Sequence, residues 1–160
     1  MKLIRRITLA LILASFGAPL LPAEPVRVGT FDKPSVVLAF YRSPQWAGIL
    51  KAKMAEMDAA KKANDTKKIE ELNAWGGASQ EMAHKQLEGK ASIANILEVL
   101  APAFPEIARK AQVSKIDPEV THATADVQPV DVTVALMDWL KADDTTRKMA
   151  KDLRERAAAK

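Results

Sequence analysis

Segments with strand character sit near the two ends of this chain, and residues 32–112 between them carry mostly helical periodicity. Val26-Arg27-Val28-Gly29-Thr30-Phe31 alternates and is β-branched, as a short strand requires. Val113-Ser114-Lys115-Ile116 and Glu119-Val120-Thr121-His122 read as two more short strands, parted by an Asp117-Pro118 turn. Strands this distant in sequence have to find one another, because a lone short strand cannot bury a face. Residues 26–31 are therefore expected beside residues 113–124, with everything between them projecting as helices. The fold class that follows is α+β and mostly helical: a small β-sheet body, a protruding α-helical hairpin and C-terminal helices. Two or three short strands also need a further partner surface, so oligomerisation is expected, through a sheet that includes Val26, Val28, Val113 and Ile116.

The helical segments have readable ends. Asp32 is placed to accept from the free N–H groups of a helix that opens near Pro34 and continues through Val36, Val37, Leu38, Phe40 and Tyr41. That stretch is apolar nearly all round and should be buried. Pro44 cannot continue it, and Ser43 is a suitable cap for a restart. Trp46, Leu50, Met54 and Met57 then form one apolar face, with Lys51, Lys53, Glu56 and Asp58 turned elsewhere. A second amphipathic stretch carries Ile69, Leu72, Trp75 and Met82. The arm spans about residues 45–92, and its tip falls either at residues 64–66, where Asn64-Asp65-Thr66 favour turns, or at Gly76-Gly77. Ile93, Leu97, Leu100, Phe104 and Ile107 repeat at heptad-like spacing, but Pro102 and Pro105 divide the seam into two packed pieces. Pro129 and Asp131-Val132-Thr133 announce a last helix through Leu136, Met137, Trp139 and Leu140.

Residues 1–23 have a basic opening (Lys2, Arg5, Arg6), an apolar run from Ile7 to Leu21 and small residues at Ala18 and Ala23. This is the pattern of a secretory signal peptide, with cleavage expected after Ala23. The apolar run, broken by Gly17 and Pro19, is shorter than the roughly 20 residues that cross a bilayer. Residues 24–140 are expected to form a single domain and residues 141–160 a charged, solvated helical tail. Loss of the leader takes away three cations and no anion, so the formal charge falls from +4 to +1. The remaining basic excess lies in residues 141–160, the segment expected to make any electrostatic contact, such as a peripheral one with a membrane.

Composition removes several kinds of chemistry. There is no cysteine, which excludes disulfides, thiolate zinc sites and thiol nucleophiles. Tyr41 is the one tyrosine, and His84 and His122 are the two histidines. His84 has Glu88 at i+4, yet one imidazole and one carboxylate do not complete a metal site. Asp32 and Asp131 are conceivable as an acid/base pair, but helix capping accounts for both. No phosphate-binding glycine loop occurs, and a mature charge of +1 gives little basis for binding nucleic acid. The expectation is a protein that is not an enzyme and has no cofactor, no catalytic residues and no metal. Trp46, Met54, Met57, Trp75 and Met82 are the candidate binding residues, since methionine adapts to irregular partners.

A strand at 26–31 directly after a signal peptide, an Asp32-led helix, a charged helical hairpin, the run Ile107-Ala108-Arg109-Lys110-Ala111 before a short strand, and Val130-Asp131-Val132-Thr133 before a terminal helix together resemble the OmpH/Skp family of periplasmic chaperones. The likeness extends over about residues 26–140. It implies a homotrimer with a central sheet body, whose helical arms hold unfolded outer-membrane or other envelope proteins in the periplasm without ATP. The arm departs from the family's long basic form: it is short, carries Gly76-Gly77, and balances 8 lysines against 7 carboxylates. A structural or adaptor oligomer without a client cavity is the other reading, and a periplasmic enzyme or small-ligand binder a third.

Overall fold

A computed structural model describes residues 24–120 and 122–159, so the leader and Thr121 lie outside the described residues. The described chain is mostly helical, with one three-stranded sheet in the order β2-β1-β3. β1 (Val26–Thr30) is central, and β2 (Lys115–Ile116) and β3 (Val127–Asp131) flank it, both parallel to it. Val28 pairs with Lys115 on one side and with Pro129 on the other. The expected pairing of the two chain ends is thus present, but the second partner differs. Residues 119–122 were expected as a strand, and β3 is the strand found. The Asp117 carboxylate accepts from the Glu119 backbone N–H at 3.1 Å, a local turn that competes with a ladder despite the β-branched residues that follow. Pro129 is tolerated within β3 because that strand is an edge and its outer side makes no ladder bonds.

α1 (Lys33–Tyr41) opens as the sequence predicts: the Asp32 carboxylate accepts from the Ser35 N–H at 2.9 Å, and Pro34 occupies the first turn. Residues Ser35 to Phe40 are all buried, so α1 is the axle of the body. It is enclosed by α6 (Thr133–Trp139), by α7 (Asp144–Ala158) and by the base of the arm. Phe31, Ile96, Leu100, Ile107, Val132, Leu136 and Leu140 complete the same core. The proline-broken seam forms two pieces, α4 (Ala94–Leu100) and α5 (Phe104–Ala111), joined by a single 3-10 turn at Ala101–Ala103. Not every intervening helix projects: α4 and α5 pack in the body, and only α2 (Pro44–Lys62) and α3 (Thr66–Leu87) make up the arm.

The arm's tip lies at residues 63–65. Asn64 takes a left-handed backbone, φ 54°, and the Asp65 carboxylate caps α3 through the Lys68 N–H at 3.0 Å. Gly76 and Gly77 stay inside α3, because glycine weakens a helix without stopping it when neighbouring turns are packed. Ser43 caps α2 as expected and makes the restart an elbow: its hydroxyl donates to the Phe40 carbonyl at 2.6 Å and accepts from the Trp46 N–H at 3.2 Å.

Residues 141–160 do not form a free solvated tail. Thr146 and Ala150 of α7 are buried against the body, and Arg42 Nε donates to Thr146 Oγ1 at 3.0 Å. The stripe responsible, Thr146, Ala150 and Leu153, consists mostly of small residues at helical spacing, so it gives little hydrophobic signal among the eight charged residues of α7.

The sheet is complete within one chain. Val28 is buried there, and Val113 and Ile116 pack over Gly29, where an added Cβ would stand 3.2 and 3.1 Å from their side chains. Of the four residues expected in an intersubunit sheet, Val26 is the one widely exposed, at 52%.

Candidate functional site

The elbow at Ser43 sets Trp46 against the end of α1. Tyr41 and Trp46 meet edge to face at 4.8 Å, and Phe40 lies 5.7 Å from Trp46, so the indole is anchored in the body at the root of the arm. Across the hairpin Trp75 stacks on Trp46 at 6.1 Å, and Lys53 places its ammonium 5.7 Å from the Trp75 ring. The sequence-predicted Trp46 and Trp75 are therefore brought together from opposite helices.

A buried polar knot fixes this root. Tyr41 Oη donates to Gln86 Oε1 at 2.8 Å, and Gln86 Nε2 donates to the Ser92 carbonyl at 2.6 Å and to Asn95 Oδ1 at 2.7 Å. Gln86 is 1% exposed, and both of its amide hydrogens are used. Burial pushes the Tyr41 phenol up, against a smaller opposing effect of a hydrogen bond with Asn95, so the group stays neutral and structural.

Three cavities surround Trp75, the first two side by side at the root of the arm, where they share Tyr41, Trp46, Trp75 and Ser79, and the third nearer the tip. The first, of about 370 Å³, lies between Trp46, Leu50, Gly76 and Gln80; the second, of about 320 Å³, is bounded by Ile49, Ala78, Met82 and Asn95. The third, of about 150 Å³, is nearer the tip and is lined by Leu50, Met54, Met57 and Leu72. All five sequence-predicted binding residues thus border this one apolar system. Met54 is 68% exposed and Met82 44%. Ile49, Leu50 and Gly76 also line it and were not among the predicted site residues. Leu50 was legible in the stripe through Trp46 and Met54, whereas Gly76 carries no side chain to signal anything.

Charges run along the arm as local pairs. Lys53 meets Glu56 at 2.9 Å and Lys85 meets Glu81 at 2.6 Å, and these hydrogen-bonded ammonium groups hold both carboxyls below the usual glutamate range. Lys68 lies 3.6 Å from Glu71. Such pairs add little stability, but they cancel the field of the arm at any distance beyond the pair itself.

The other candidates are accounted for locally. Glu81 and Glu88, the carboxylates in helical reach of His84, pair with Lys85 at 2.6 Å and with Lys90 at 2.8 Å, and no cluster able to hold a metal occurs among the described residues. Asp32 and Asp131 do converge where the sheet ends, and Arg154 of α7 lies between them, 3.7 Å from Asp32 and 2.9 Å from Asp131. Burial works to raise the Asp131 carboxyl, but hydrogen bonds from Thr133 and Arg154 outweigh it and hold the group below the usual aspartate range. Asp131 accepts from the Thr133 N–H at 2.8 Å one position before the cap of α6, which is Val132. Both carboxylates are committed to joining β3, α1 and α7. Arg147 is likewise taken up by Asp138 at 2.6 Å, and of the exposed lysines in the middle of α7, Lys151 lies 3.7 Å from Glu155.

Comparison with protein-family models, with curated proteins and with solved structures gives no match.

Proposed function

We propose that this chain is an exported, periplasmic holdase or assembly factor of the OmpH/Skp kind, acting without ATP, cofactor or catalysis on unfolded outer-membrane or other envelope proteins. The observation that carries this reading is the uncovered apolar flank of the arm, where Ile49, Leu50, Met54 and Met82 stay exposed beside the cavities around Trp75. Contiguous apolar surface on a projecting element is characteristic of a binding face, and an unfolded chain is a partner for which non-directional contact is sufficient. Methionine suits such a face, because its flexible thioether fits different side chains in turn.

A homotrimer belongs to the same proposal. The outer edges of β2 and β3 carry unpaired backbone groups through which copies can associate. A lesser element is a peripheral contact between anionic lipid and the outward lysines of α7.

The competing reading is an adaptor oligomer. It is favoured by the arm's size, since helices of 19 and 22 residues reach only about 28 and 33 Å. Light scattering of the mature protein, together with its effect on the aggregation of an unfolded β-barrel protein, separates the two. A trimer that suppresses aggregation at near-stoichiometric ratio is expected. A stable oligomer with no such effect transfers the reading to the adaptor.

A further inference from the structure

Gly76 lies in the interior of α3, a poor place for glycine, yet a Cβ added there meets nothing within 4 Å. No neighbouring atom in the chain requires its absence. What Gly76 does border is empty space, as a wall of both the 370 Å³ and the 150 Å³ cavities. Gly77, the next residue, is exposed and lines none of the three cavities. We propose that Gly76 keeps open a cleft that receives one uncharged aromatic side chain from an extended polypeptide segment. This names the guest of the site on which the holdase reading rests.

The guest's chemistry follows from the lining. The arm holds 8 lysines and 7 carboxylates, yet of all the side chains bordering the three cavities only Lys53 is charged. A carboxylate or ammonium entering the first cavity would lose water and meet no counter-charge on its walls. An aromatic ring finds Tyr41, Trp46 and Trp75 presenting both edges and faces, the arrangement in which rings attract one another beyond their buried area. The first cavity, at about 370 Å³, lies within the range of pockets that enclose small apolar groups.

The backbone of the guest follows from the spacing. Trp46 and Met57 are about 16 Å apart along α2, the length of about five extended residues. Alternate side chains of a strand stand about 7 Å apart on one face, so a strand laid along the arm would present side chains of one face to the first and third cavities, which share Leu50, Trp75 and Gly76. A segment with alternating apolar residues therefore fits, which is the pattern of strands that line the outside of a membrane barrel. The balanced charge of the arm neither attracts nor repels such a segment, so the cleft itself has to discriminate.

The test uses the mature protein with capped heptapeptides of alternating threonine and valine, carrying Phe, Ala, Glu or Lys at the centre. Binding is read from the fluorescence of the protein's tryptophans, which the peptides lack. The Phe peptide is expected to bind about tenfold or more tightly than the Glu and Lys peptides. Gly76→Leu should abolish that preference and Gly77→Leu should keep it, with circular dichroism showing both variants at least as helical as the unmodified chain. Should Gly76→Leu lose helix, Ala83→Leu fills the same cavity from another position on α3. Equal binding of the four peptides, or a Gly76→Leu protein that still discriminates, overturns the proposal. So does self-association that Gly76→Leu abolishes without any peptide binding, since the cleft would then belong to a second copy. Aggregation assays on the same proteins keep the two readings apart. Full holdase action by Gly76→Leu removes the cleft and retains the proposed function, whereas peptide discrimination without holdase action does the reverse.

Discussion

The body and the arm of this molecule are both helical, but they use their apolar residues in opposite ways. Nine-residue α1 buries six of its residues, whereas α2 buries one of 19 and α3 two of 22. α1 is enclosed by α6, α7 and the root of the arm, so Ser35 to Phe40 have almost no surface left to offer. Beyond its root, where both helices also meet α1, each helix of the arm has the other as its partner. One face of each is covered, and the adjoining flank, with Leu50, Met54 and Met82, is left over. A hairpin's apolar stripe is thus too wide for the hairpin alone, and the surplus is what a partner can use.

The contrast breaks most severely at Phe40, which is 1% exposed. Phe40→Ala should cost about 3–5 kcal/mol in chemical denaturation, because the ring leaves a cavity that α1 cannot collapse into from all sides. A loss below about 1 kcal/mol would mean that the body is packed as loosely as the arm. Gly29→Ala is the next test. Its methyl group would press on Ile116, Val113 and the Lys115 carbonyl, and a loss of about 1–3 kcal/mol is expected, read in the same way.

Arg154→Ala probes how firmly α7 belongs to the body. The guanidinium is partly exposed, so its pairs with Asp131 and Asp32 should contribute no more than about 1 kcal/mol at neutral pH. The pH dependence sharpens the test. Asp131 is held below its ordinary range in the folded state, so its contribution is complete above about pH 4 and is lost as pH falls through the lower native value. The unmodified protein should therefore lose stability on acidification more steeply than Arg154→Ala, and equal slopes would dissociate Asp131 from Arg154.

The smallest effect on stability is expected at the arm. Changing Met54 and Met57 together to serine should alter unfolding free energy by about 0.5 kcal/mol or less, while weakening the capture of unfolded chains. Raising the salt until the Debye length falls from about 10 Å to about 3 Å should leave most of that capture intact, because the arm's 8 lysines and 7 carboxylates nearly balance. Capture that collapses with salt and depends on residues 141–160 would move the contact to α7.

Features governed by local chemistry were legible in the sequence. Asp32 and Ser43 cap helices, because the side-chain oxygen that ends one segment and begins the next needs no distant partner. The arm and its amphipathic faces followed from periodicity, and so did the proline break between α4 and α5. Features settled by tertiary contact were less legible. Gly76-Gly77 offered an alternative to the tip favoured at Asn64-Asp65-Thr66, and the left-handed Asn64 with the Asp65 cap places the turn at the latter. β3 was hidden by Pro129, whose missing N–H is harmless on an edge, while at Glu119 and Val120, which introduce a strand-like run, a local turn onto Asp117 forms instead. Of the site, the tryptophans and methionines were visible as types. The empty space beside Gly76 was not, since a cavity is a property of what surrounds it.

The order in which the body closes bears on how the chain is delivered. β1 finds one of its flanking strands at Val127–Asp131, and α1 is covered by α7 at Asp144–Ala158, so these elements wait for partners made about 100 residues later. A chain truncated before residue 141 has no lid for α1 and should remain open and accessible to proteases. The appearance of α7 is then the event that commits the body to fold, and the arm, whose two helices are contiguous in sequence, can form before it.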